Sequence, residues 1–205
     1  MQICITGCHT NVGKTHVSAM LCAILGWEYF KLIQAGTPKD KDLVAHFAPR
    51  CKVSEGIALQ ASASPHIGKR LENAQYDGLS IRLPKSQDLI IEIAGGLYSP
   101  LDERACMIDY IAKHALPCLI VGADYLGSIN HLLLSIESLR ARGCEILGAV
   151  MSGESSGEVE RFVREYGGVR VINLAHYDEE NFESVRAEFE VELRELLGDL
   201  KLKIR

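Results

Sequence analysis

The sequence predicts an α/β fold, a doubly wound and mainly parallel sheet with helices on both faces. Three observations predict it. Short β-rich runs alternate with helical patterns along most of the chain. Several of those runs are apolar at successive positions, as in parallel strands covered on both faces. The first run leads directly into a glycine-bounded loop and then a helical pattern. With 205 residues, 47% of them apolar and 24% charged, the chain reads as one domain over residues 1–205 with a sizeable core.

The first strand-like run covers residues 2–6, and Gly7-Cys8-His9-Thr10-Asn11-Val12-Gly13-Lys14-Thr15 follows it. Strand, glycine-bounded loop, Lys-Thr and helix form the layout of a phosphate-binding P-loop, so the predicted fold is P-loop NTPase-like. A helix start leaves backbone N–H groups unpaired and carries partial positive charge, and the turn before it aims further N–H groups at the same point. Gly13 lets the backbone approach an anion closely. Lys14 supplies a cation for the β- and γ-phosphates, and the Thr15 hydroxyl is placed for Mg²⁺. The spacing departs from the common motif: five residues separate Gly7 from Gly13 instead of four, and Cys8 stands where the first glycine is expected.

Further strand-like runs fall at 27–33, 88–93, 118–122, 145–151 and 168–174. Helical patterns fall at 14–25, 39–47, 106–114, 128–142 and 158–166. A last one at 180–197 has apolar residues at 182, 185, 189, 193 and 196, the spacing of a helix packed on a sheet. The stretch 49–84 is too long for a bare loop and is expected to contain a helix. In such a sheet, ligands bind at the carboxyl ends of the strands.

A net charge of −5 argues against a nucleic-acid partner. No apolar run reaches the ~18 residues needed to cross a bilayer, and the first residues lack a signal peptide's pattern. The seven cysteines are scattered without C-x-x-C pairs, as expected of reduced thiols in a cytoplasmic protein. Gly153-Glu-Ser-Ser-Gly157 fits the nucleophile-elbow pattern. A hydrolase of that class needs an acid and then a histidine further along, whereas here Asp178 follows the last histidine, His176.

Three charged residues draw attention. Lys31 lies in Trp-Glu-Tyr-Phe-Lys-Leu-Ile, where a charge is costly unless paired. An anion at the P-loop is one partner for it; a sheet edge at which the side chain snorkels is the alternative. Glu92, in Asp-Leu-Ile-Ile-Glu-Ile-Ala-Gly-Gly, resembles the carboxylate of a Walker B strand, and one such group near Thr15 suffices for Mg²⁺. Asp42 lies in a charged run at a helix start, where Asp40 could cap equally well.

These residues together resemble the dethiobiotin synthetases. The long P-loop matches, as does Lys31 followed by Ala35-Gly36. Asp42-Leu-Val-Ala, Ser64-Pro-His-Ile67 and Glu92-Ile-Ala-Gly-Gly-Leu-Tyr-Ser-Pro-Leu101 are similar to further family elements. So is Leu116-Pro117 with Leu126-Gly-Ser-Ile-Asn-His131. The six elements run in order over nearly three quarters of the chain. The resemblance implies a cytoplasmic, ATP-dependent ligase acting on 7,8-diaminononanoate, CO₂ or bicarbonate, and a nucleoside triphosphate. It implies Lys31 and Lys14 as catalytic cations, and Thr15, Asp42 and Glu92 as ligands of Mg²⁺, with two ions. Asn11, Val12, Gly13, Lys14, Thr15, His16, Asp42, Glu92, Ile93, Ala94 and Gly95 would bind the nucleotide, and Thr10, Lys31 and Gly95 the diamine. It also implies a homodimer in which Gly127 and Asn130 of the partner hold the substrate carboxylate.

Departures from the family pattern are specific. Asn11 replaces a glutamate, Ala35 a substrate-binding serine and Ile93 a glycine. Ser152 and Gly153 stand where an Asn-Asp pair reads adenine, and an Ile-Pro base contact is missing near Ile172. Weak preference for the base follows as an expectation. The alternative is a regulatory ATPase of the partition or septum-positioning type, which shares the fold. Its P-loop carries an extra lysine, at the position of His9 here.

Overall fold

The computed structural model describes residues 1–199; residues 200–205 of the expected domain lie outside the described residues. The strands are β1 (Gln2–Gly7), β2 (Glu28–Ala35), β3 (Val53–Leu59), β4 (Leu89–Gly96), β5 (Cys118–Gly122), β6 (Ile146–Ser152) and β7 (Val171–Leu174). They form one sheet of order β3-β2-β4-β1-β5-β6-β7, and every pair is parallel. The helices are α1 (Lys14–Leu25), α2 (Asp40–Phe47), α3 (Pro65–Leu71), α4 (Met107–Lys113), α5 (Ser128–Ala141), α6 (Glu158–Gly167) and α7 (Phe182–Asp199).

Two cores cover the two faces. Val17, Met20 and Leu21 of α1, Val44 of α2, and Phe189, Leu193 and Leu196 of α7 pack on Ile3, Ile5, Tyr29, Ile90 and Val150. On the opposite face Ile108 and Ile111 of α4, Ile136 and Leu139 of α5, and Val163 of α6 pack on Cys4, Ile91, Cys118 and Ile120. Burial on both faces explains why the central strands are apolar at successive positions.

The stretch 49–84 holds more than the helix expected of it. It contains edge strand β3, helix α3 and a 3-10 turn at Gly78–Ser80. β3 lacks a continuous apolar signal: Glu55 and Gly56 interrupt it, and most of it is only half buried.

The chain passes from β4 to β5 across β1, so the loops leaving β1 and β4 diverge at the carboxyl ends of the strands. Register then places the two ionised residues. Lys31 on β2 is the Cα partner of Glu92 on β4, and Glu92 pairs with Ile5 on β1. Tyr29 lies two residues before Lys31 and therefore on the same face, the one that α1 covers.

Candidate active site

The loop between β1 and α1 is shaped by two left-handed residues, Asn11 (φ 60°) and Gly13 (φ 89°). Gly13 is the N-cap of α1 and no side chain caps the helix, which leaves the first-turn N–H groups facing the cavity at the strand ends. A Cβ at Gly13 would run into the Ser152 side chain, so glycine is required there for space as well as for backbone shape. Lys14 folds back over the loop and donates from Nζ to the His9 carbonyl at 3.2 Å. Burial pushes its ammonium below the usual value, and Glu92 offsets part of that shift.

Glu92 is the centre of the charge network and is wholly buried. Its Oε1 accepts from Lys31 Nζ at 2.7 Å and from the Thr15 hydroxyl at 3.0 Å, and its Oε2 accepts from the Tyr29 hydroxyl at 3.0 Å. Lys31, 4% exposed, also ion-pairs with Asp40 and donates to the Ile93 carbonyl at 3.4 Å. Burial pushes Lys31 down and Glu92 up. Their mutual attraction outweighs this, with Asp40 adding to it for Lys31, so Lys31 is held above its usual value and Glu92 below. The snorkelling alternative for Lys31 does not describe the fold, since the ammonium points inward.

A cavity of about 1310 Å³ opens over this network. Thr10, Asn11, Val12, Gly13, Lys14, Thr15 and His16 line it from the loop and α1, Lys31 from β2, and Asp42 from α2, while Glu92, Ala94 and Gly95 line it from β4. Gly95 and Thr10 stand side by side: a Cβ at Gly95 would lie 3.7 Å from Thr10 Oγ1. Ile93 is buried and reaches the site through its carbonyl alone. Gly127 and Asn130 are not among the cavity's lining residues; they lie at the exposed start of α5.

Sequence reasoning alone assigned no role to Tyr29 or Gln34 and left Asp40 as a possible cap. The loss of Glu92's partners from view has a simple cause: sheet register is not visible in a linear pattern. Ser152, Glu154, His176 and Tyr177 also line the cavity. The Tyr177 hydroxyl donates to the His16 carbonyl at 2.7 Å, and the two rings meet edge-on at 5.0 Å. Burial and the neighbouring His176 hold the His16 imidazole below its usual value.

The donor set suits Mg²⁺, which takes oxygen ligands and completes its shell with phosphate and water. The Thr15 hydroxyl and the Glu92 carboxylate are in contact, and Asp42 faces the same cavity. Among the described residues, no three His, Cys, Asp or Glu side chains form a metal-holding group by themselves. No helix among the described residues is long and apolar enough to cross a membrane.

Comparison with known proteins follows the same lines. A family model described as an AAA domain matches residues 1–179. The chain is 47% identical over 198 residues to the ATP-dependent dethiobiotin synthetase BioD of Campylobacter jejuni subsp. jejuni, covering 96% of this chain and 98% of that protein. It is 39% identical over 173 residues to the protein of the same name from Paramagnetospirillum magneticum, covering 82% and 84%. Among solved structures, a ParA family ATPase from Chlorobium tepidum TLS superposes with a TM-score of 0.51 at 12% identity, over 94% of this chain and 90% of that one. So distant a likeness shows the shared fold alone.

Proposed function

Because this chain belongs to the dethiobiotin synthetase family, we propose that it is an ATP-dependent cyclo-ligase that makes dethiobiotin from 7,8-diaminononanoate, CO₂ and a nucleoside triphosphate. One amine of the substrate attacks CO₂ and loses a proton, giving a carbamate. A carbamate oxygen takes the γ-phosphoryl group, and the nucleoside diphosphate leaves. The second amine attacks the carbonyl of this mixed anhydride, expels phosphate and closes the cyclic urea.

Such a reaction needs positioning and charge neutralisation more than it needs a protein nucleophile. The N–H groups of the α1 start and Lys14 would cradle the triphosphate. Lys31 would sit between carbamate and γ-phosphate, where its positive charge offsets the charge that develops during transfer. Thr10 and Gly95 would contact the diamine. Thr15, Glu92 and Asp42 would hold Mg²⁺, two ions in all, and bound Mg²⁺ would neutralise the phosphate oxygens. The base would be gripped weakly, because Ser152 and Gly153 offer little to read it.

The enzyme would work as a cytoplasmic homodimer, the partner's 127–130 turn taking the substrate carboxylate. The state of that turn supports this. Gly127 is left-handed and exposed, as is Asn130, and no side chain caps the start of α5.

The observation that carries the proposal is the Lys31 ammonium, buried and paired with Glu92 beside a P-loop. The test is incubation with diamine, bicarbonate, Mg²⁺ and ATP, following ADP and the cyclic product. Product formation is expected to depend on the diamine and to vanish in Lys31→Ala. ATP hydrolysis indifferent to the diamine would favour the regulatory ATPase instead, and full activity in Lys31→Ala would remove the central catalytic role.

A further inference from the structure

Lys31 has two carboxylate partners, and only Glu92 belongs to the proposed ion-binding set. The other, Asp40, is the first residue of α2, in a charged run where an aspartate ordinarily caps a helix in solvent. Its placement here is more specific. The Asp40 backbone N–H donates to Gln34 Oε1 at 3.0 Å. Gln34 is 3% exposed, and its Nε2 donates to the Gly36 carbonyl at 3.0 Å and the Pro38 carbonyl at 3.5 Å. One buried carboxamide on β2, three residues beyond Lys31, thus ties down the connection to α2 and delivers the Asp40 carboxylate onto the Lys31 ammonium. Asp40 and Asp42 both line the cavity, but among the described residues Lys31 ion-pairs only with Asp40 and Glu92.

This division of labour matters once the site is loaded. Glu92 would then be engaged by the ion, and a lysine on a flexible four-carbon stem would have lost one of its two carboxylate anchors. We propose that Asp40 is a positioning residue for phosphoryl transfer: anchored by Gln34, it holds the Lys31 ammonium in line with the carbamate and γ-phosphoryl oxygens while Glu92 serves the ion. This role rests on the ligase function proposed above. Asp40 itself touches neither reacting group; it acts through Lys31.

The experiment is steady-state kinetics on Asp40→Asn, Asp40→Glu and Asp42→Asn, titrating ATP, diamine and Mg²⁺ separately, with thermal unfolding as a check on folding. Asp40→Asn should lower kcat by about 10²-fold, the scale of a misplacement of roughly 1 Å, with the KM for ATP and the Mg²⁺ dependence unchanged. Asp40→Glu keeps the charge and displaces it by one methylene, so its kcat should fall between those of wild type and Asp40→Asn. Asp42→Asn should instead shift the Mg²⁺ dependence. Wild-type or raised kcat in Asp40→Asn would make the residue a solvated cap or a placeholder, and a Mg²⁺ shift like that of Asp42→Asn would make it an ion ligand; either overturns the proposal. Absence of diamine-dependent product from the wild-type protein would sink the ligase function itself, a result distinct from an unaffected variant.

Discussion

A charge inside an apolar run is costly wherever the run ends up, so Lys31 and Glu92 stand out from the sequence before any fold is known. Their mutual contact does not, because it depends on the register of β2 against β4. Asp40 and Asp42 are harder still. Both sit in one polar run, and only the Gln34 bonds single out Asp40 as the residue that meets Lys31. The buried pair also makes stability pH-dependent in a definite sense. In the folded protein Lys31 holds Glu92 below its usual value, so the carboxylate contributes stability above the unfolded value, and that contribution is lost as pH falls through the folded one. Lys31→Ala leaves a buried carboxylate without its cation, at a cost of about 3–5 kcal/mol near neutral pH, which a domain of ordinary stability survives. Burial, now opposed only by Lys14 and hydroxyl hydrogen bonds, then pushes Glu92 up in the variant, so it takes up a proton and sheds that cost as the solution is acidified. The stability gap between wild type and Lys31→Ala, measured by urea unfolding, should therefore shrink from about pH 8 to about pH 5. A gap that stays constant over that range would show that Glu92 remains charged in the variant.

Among the elements, those covered on both faces are legible and the half-covered one is not. The runs that became β1, β4 and β5 are mostly apolar, on both parities, because helices cover both of their faces. β3 closes the sheet edge with Glu55 and Gly56 in its middle, and its pattern resembles a loop. Edge position also explains Glu55, whose Oε1 accepts from both Lys39 and Lys41 at 2.9 Å. The ends of β6 and β7 bear on nucleotide choice. Ser152, the last residue of β6, packs against Gly13, while the His176 ring lies against Gly153. Neither position presents the pair of hydrogen-bonding side chains that reads adenine in the family pattern. A site that hydrogen-bonds its ligand can reject a mismatch by about 10⁴-fold or more; one that relies on phosphate contacts cannot. Turnover with ATP, GTP and CTP is therefore expected to give kcat/KM values within roughly 10²-fold of one another. A preference for ATP well beyond that would mean that groups such as Glu154 or the backbone around His176 read the base after all.

For the whole molecule the question is where a long, doubly functional substrate fits. The cavity over the P-loop is lined by groups suited to phosphate and amine, and its lining includes neither Gly127 nor Asn130. The start of α5 has the marks of an anion site that faces outward. Gly127 takes φ 97°, no side chain caps the helix, and Gly127 and Asn130 are exposed. Exposed apolar side chains lie just before and on α5: Leu126 is fully exposed, and Leu134 is 58% exposed. In the homodimer proposed above, a second copy seated on this surface would cover those side chains, with its α5 start taking the substrate carboxylate. The double variant Leu126→Arg with Leu134→Arg should then sediment as a monomer and show a raised KM for the diamine, because the carboxylate end of the substrate loses its holder. Nucleotide affinity should stay as in wild type, since the P-loop and the residues proposed to hold Mg²⁺ come from one chain. Arginine rather than aspartate is the informative choice, because a positive side chain cannot weaken carboxylate binding by repulsion. A monomeric variant with an unchanged KM for the diamine would show that each chain holds its substrate alone, and would remove the partner's turn from the site.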